Sequence, residues 1–191
     1  MARESSPVRK AVVAGALGAV SIALFLTPFG YIPWLAGASL TVMHVPAILG
    51  AVLEGPVVGM VVGAIFGVTS LVKAATAPQG PIDVFFVNPV VSVLPRVLVG
   101  LAAWAVYHAF RGKVPALAAA VAGAAGSLAN SVLVLGALVA FGALPLAVAG
   151  SVLAANGLVE AAAAAVLTLG VVAAWRGVGG KGKARLADEG K

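Results

Sequence analysis

The sequence predicts an all-α integral membrane protein with six transmembrane helices and both termini in the cytoplasm. Three observations lead there. Apolar residues fill 62% of the 191 positions and charged residues only 9%, against about 45–50% and 25% in a soluble domain. Ala, Val, Leu and Gly form uninterrupted stretches long enough to span a bilayer. Ten of the 12 basic residues gather at the chain ends and in one short loop, the pattern of cytoplasmic loops rather than of a nucleic-acid face interleaved with aromatics. A soluble globular domain, a disordered chain and a disulfide scaffold are excluded, the last because the chain has no cysteine.

A helix needs about 20 mostly apolar residues to cross the hydrocarbon. Six runs are candidates: 11–27, 38–53, 57–77, 84–110, 115–141 and 147–175. The first follows a basic segment, 1–10, and is stopped by Pro28, Gly30 and Pro33. The second is short, so it either stands steeply or draws on the preceding loop. Glu54-Gly55-Pro56 opens the third, and Ala77-Pro78-Gln79-Gly80-Pro81 closes it. The fourth contains Pro89 and Pro95 and ends at Arg111-Gly112-Lys113. The fifth ends at Gly142-Ala143-Leu144-Pro145, and the sixth gives way to a basic tail, 176–191. Short connections make neighbouring helices antiparallel. The chain therefore divides into a basic N-terminus (1–10), a membrane domain (11–175) and a basic tail (176–191), with no internal repeat.

Placing both termini inside puts Arg3, Arg9, Lys10, Arg111, Lys113, Arg176, Lys181, Lys183, Arg185 and Lys191 in the cytoplasm, as the positive-inside bias requires. Tyr31 and Trp34 then fall at the outer interface, and Trp104, Tyr107 and Trp175 towards the inner one. Arg9-Lys10, an apolar run and Ala36-Gly37-Ala38 resemble a signal peptide. However, the run ends near Leu26 and leaves the cut too far downstream.

Polar groups inside the bilayer carry the functional information. An arginine at a helix centre costs roughly 2.5–3.5 kcal/mol on insertion scales, so it faces a cavity or a partner. In the fourth run Asn88, Ser92 and Arg96 are spaced i, i+4, i+8 along one stripe. Pro89 and Pro95 flank that stripe and predict a kink that frees backbone carbonyls. The fifth run adds Ser127, Asn130 and Ser131, and the sixth adds Asn156 and Glu160. Arg96 sits roughly 18 Å below the outer end of its run at 1.5 Å per residue, and Asn130 and Glu160 fall at a similar depth. Three helices thus bring polar groups to one level, where transporter sites form. The alternative is a buried Arg96–Glu160 ion pair that only fixes packing.

His44 either lines the same pocket or donates between helices. Lys73 either attracts an anion or snorkels and pairs with Asp83. Glu54 reads as a solvated turn residue and His108 as a solvated one. Ala11, Gly15, Ala19 and Ala23 form a small-residue face on the first helix that suits close packing. No Walker-type glycine loop, His-Glu-x-x-His zinc motif or Gly-x-Ser-x-Gly elbow occurs. The chain reads as neither an enzyme nor a cofactor-binding protein.

Thr41-Val-Met-His44-Val-Pro46 and Asp83-Val-Phe-Phe-Val-Asn88-Pro-Val-Val-Ser-Val-Leu-Pro95-Arg96 resemble the substrate-binding (S) component of energy-coupling factor (ECF) transporters. Gly126-Ser-Leu-Ala-Asn130 and Asn156-Gly157-Leu-Val-Glu160 are similar to that family's fifth and sixth helices. The likeness covers about residues 11–175 and most resembles the pantothenate-type subgroup. It implies six helices and a vitamin or precursor bound near the outer face. It also implies gating loops after helices one and three, here including Pro28, Tyr31, Trp34, Pro78 and Gln79.

The resemblance further implies docking on a transmembrane T component driven by two ATPase subunits, with toppling in the membrane to release cargo. The family's first helix meets the T component through an Ala-x-x-x-Ala face, which Ala11, Gly15, Ala19 and Ala23 match loosely. Arg96 is expected to hold a substrate carboxylate. Asn88, Asn130, Asn156 and His44 would surround the ligand, and Glu160 would orient Arg96 or accept from ligand. Pantothenate suits this set, whereas an internally neutralised Arg96–Glu160 pair suits a pyridoxine- or riboflavin-like vitamin. A stand-alone secondary carrier is the remaining alternative.

Overall fold

The computed structural model describes residues 6–27, 30–33, 39–78, 80–112 and 114–188. Helix α1 (Pro7–Leu26) starts where the Ser6 side chain accepts from the Arg9 amide at 3.3 Å, with Pro7 in the first turn. It stops at Thr27, which is extended (φ −116°, ψ 157°), the conformation favoured before a proline. Strands β1 (Tyr31–Pro33) and β2 (Ser39–Thr41) then pair antiparallel, Tyr31 against Thr41 and Pro33 against Ser39.

Helix α2 runs over Val45–Glu54, with Pro46 in its first turn. The second apolar run is therefore not a helix over 38–53. Its first residues satisfy their backbone in a strand pair, and the helix that follows has only 10 residues. That is about 15 Å of rise, half the hydrocarbon thickness. Among the described residues five helical stretches are long and apolar enough to cross a membrane, and α2 is a shorter apolar sixth. It is buried nearly all round and packs on α1 and on the later helices, as an evenly apolar helix must. Ile48 and Val52 meet Val99, Ala103, Ala122 and Ala164 in the main core.

Helix α3 (Pro56–Thr76) follows a turn at Gly55. A 3-10 turn (Asp83–Val87), α4 (Pro89–Ser92) and α5 (Leu94–Phe110) make up the fourth run, with a one-residue interruption at Val93, where the backbone stays in the helical region. Helix α6 (Pro115–Ala140) ends on Gly142, whose φ of 73° suits glycine. There Gly142 N donates to Val139 O and Ala143 N to Leu138 O, the Schellman pattern that satisfies terminal carbonyls. Helix α7 (Leu146–Val152) passes through a π turn (Leu153–Gly157) into α8 (Leu158–Asp188), which continues from the apolar stretch into the basic segment.

Two glycines set the spacing of α3 and α5. A side chain at Gly63 would strike the Arg96 carbonyl, and one at Gly100 would strike the Gly59 backbone. The two helices thus touch backbone to backbone, the contact that small residues permit in membranes. At the far end of α2, Glu54 is buried rather than solvated. Its Oε1 accepts from Arg9 Nε at 2.8 Å and lies 2.7 Å from Arg9 Nη2, so the start of α1 is tied to the α2–α3 turn.

Candidate substrate-binding site

The site is built on the interruption between α4 and α5. Asn88 caps α4, its side chain accepting from Val90 N at 2.9 Å. Pro95 has no N–H, so the Val91 carbonyl four residues earlier loses its helical donor. Arg96 replaces it, with Nη1 donating to Val91 O at 2.6 Å. The guanidinium carbon also lies 5.4 Å from the Phe66 ring centroid and 5.2 Å from that of Phe86, within cation–π range. Arg96 is 6% exposed. It reaches a cavity of about 330 Å³, at the small end of the range for small-molecule pockets.

One wall of the cavity comes from α1, α3, the 3-10 turn and α5: Phe25, Phe66, Ser70, Lys73, Asp83, Phe86 and Arg96. Lys73 Nζ lies 5.0 Å from the Phe25 centroid, and Phe25 meets Phe66 edge-on at 6.3 Å. The second wall comes from α6, the π turn and α8, with Asn130, Ser131, Asn156 and Glu160. π turns of this kind recur at functional sites, because they shift one helical face against the next. Asn130 is buried, and its Oδ1 has no hydrogen-bond partner among the described residues.

Glu160 is engaged elsewhere than expected. Its Oε1 accepts from both the backbone N (2.7 Å) and Oγ1 (2.8 Å) of Thr41, and its Oε2 from Ser131 Oγ at 3.2 Å. Among the described residues, its carboxylate is held by these groups rather than by Arg96.

Arg96, Asn130, Asn156 and Glu160 are thus brought to one cavity, whereas Asn88 and His44 do not line it. The Asn88 side chain caps α4, while Ser92 and Arg96 are buried. His44 is 1% exposed in the core, and neither ring nitrogen has a hydrogen-bond partner among the described residues. Of the loop residues, Pro28, Trp34 and Gln79 lie outside the described residues. The Tyr31 backbone pairs with Thr41, and Pro78 is exposed. Ala11, Gly15, Ala19 and Ala23 point away from the protein, since α1 buries Ala14, Gly18, Ser21 and Phe25 instead.

Sequence reasoning missed Ser70, the three phenylalanines and the π turn. Phe66, Ser70 and Lys73 are spaced i, i+4, i+7, a helical face that points to one cavity wall. Nothing comparable announces the π turn.

Membrane-length apolar helices around a cavity lined by charged and amide side chains suit a binding component of a transport system. A family model described as "ECF transporter, substrate-specific component" matches residues 9–172, and the chain belongs to that family. It is a multi-pass protein of the cell membrane. The pantothenic acid transporter PanT of Lactococcus lactis subsp. cremoris (strain MG1363) is 28% identical over 183 residues, covering 86% of this chain and 91% of the relative.

Proposed function

We propose that this chain captures pantothenate for an ECF-type importer, with six spans, the second made by the short α2 together with the hairpin that leads into it, and both termini in the cytoplasm. It would deliver its cargo through a transmembrane T component driven by two ATPase subunits, docked on the Ala11–Ala23 face of α1. The observation that carries the substrate assignment is the buried Arg96 on the cavity wall, with Lys73 on the same wall and Asn130 and Asn156 on the second. Pantothenate offers a carboxylate for the cations and hydroxyl and amide groups for the side-chain amides. The similarity to PanT supports the same substrate.

Binding to the purified protein tests this by isothermal titration. Arg96→Ala should weaken pantothenate roughly ten- to a hundredfold, the effect of losing a charge-assisted hydrogen bond. Pantothenol, in which an alcohol replaces the carboxylate, should be affected far less. No loss with Arg96→Ala, or an equal loss for both compounds, refutes the carboxylate assignment. A second reading has its own support: Lys73 and Arg96 share the cavity lining with Asp83 and Glu160, so charges of both signs are present. That balance suits an uncharged pyridoxine-like vitamin, which should then bind more tightly than pantothenate.

A further inference from the structure

The β1–β2 hairpin enters α2 through Thr41, and three contacts fix its root. Val42 N donates to Gly30 O at 3.3 Å, and Ser21 Oγ donates to Met43 O at 3.2 Å. The first extends the hairpin's own ladder, and the second ties the root to α1. The third is different, because the Thr41 amide and hydroxyl reach Glu160, 119 residues later on α8. Both partners lie on the cavity surface. Oε1 of Glu160 already accepts two hydrogen bonds, and Oε2 accepts a third from Ser131 on α6. The Thr41 contacts fill the acceptor positions of Oε1, and Oε2 shares the single Ser131 hydroxyl proton with Ser127 O at 3.3 Å.

We infer that Glu160 is a positioning residue rather than a ligand contact: its carboxylate straps the foot of the hairpin to the α6–α8 wall and so sets how fast the cavity exchanges its ligand. The strap joins the hairpin root to the second wall of the cavity through one residue pair. When it parts, Thr41 leaves the cavity lining, while Ser21 still holds the root to α1 through Met43 O. Ligand entry and exit both become easier while Arg96 and the side-chain amides stay in place. The link to ligand exchange rests on the reading that this cavity takes the substrate, but the strap itself does not.

Hydrogen exchange on the full chain in lipid nanodiscs, without ligand, tests the strap. In Thr41→Val and in Glu160→Gln, amide exchange over residues 39–42 should rise about tenfold, the loss of one charge-assisted hydrogen bond. Thr41→Ser keeps the hydroxyl and should restore the parent rate. Unchanged exchange in both Thr41→Val and Glu160→Gln overturns the proposal, whatever the ligand proves to be. Stopped-flow binding of pantothenate then tests the consequence. Thr41→Val should raise the association and dissociation rates together, moving Kd less than the dissociation rate. If Glu160→Gln weakens binding as much as Arg96→Ala does while hairpin exchange stays at the parent rate, Glu160 is a ligand contact and the proposal fails. If no vitamin binds at all, the functional reading fails while the exchange measurement still decides on the strap.

Discussion

Arg96 and Pro95 answer each other's cost. A buried guanidinium needs acceptors, and a proline inside a helical stretch leaves a carbonyl without its donor. Here the carbonyl of Val91 serves as the acceptor, 2.6 Å from Nη1. Pro95→Ala supplies the missing N–H, so it should raise the thermal midpoint of the empty protein. It should also weaken binding of an anionic ligand several-fold, because Val91 O then has a competing donor and Arg96 loses its fixed orientation. Thermal unfolding and titration on the same preparation check both signs. The pairing was half legible in the sequence, where Pro95-Arg96 inside an apolar run announced a freed carbonyl and a costly cation together. Glu160 was legible only as a costly group, because its Thr41 partner is set by the tertiary fold across 119 residues.

At the level of elements, the apolar runs and their proline breaks were readable because bilayer length and proline chemistry act locally. The short α2, the hairpin before it and the buried Glu54 were not. Each depends on what packs around it, and an apolar run of 10 residues carries no mark of whether it spans a bilayer or fills a core. The contact between α3 and α5 was equally hidden, since glycine is common throughout this chain. It makes a sharp prediction. Gly63→Ala puts a methyl group against the Arg96 carbonyl and should lower stability by about 1–3 kcal/mol, the range for overpacking, and weaken ligand binding with it. Gly15→Ala is the matched control: among the described residues a methyl group there meets nothing within 4 Å beyond its own helix, so the helix should gain about 0.5–1 kcal/mol from the better helix former. Thermal unfolding and ligand titration of both variants check the contrast.

Across the whole molecule, Arg9 and Glu54 hold the start of α1 against the end of α2, the acid wholly covered and the base half exposed. Removing the base strands a buried carboxylate. Arg9→Ala should therefore lower the thermal midpoint, and Arg9→Ala combined with Glu54→Gln should recover part of the loss in the same thermal-unfolding assay. The cavity enclosed by α1, α3, α5, α6 and α8 is mechanically lopsided. Its cation-bearing wall rests on the backbone contact of α3 with α5, where Gly63 and Gly100 leave no slack for larger side chains. Its amide-bearing wall contains the π turn, a stretch whose hydrogen-bond register is already shifted. One wall behaves as an anvil and the other as a hinge leaf. Exchanges around Asn156 should then alter which hydroxyl and amide groups are accepted, while the grip on an acidic group stays constant. A change of vitamin among relatives built this way should start on α7 and α8 before it reaches α5.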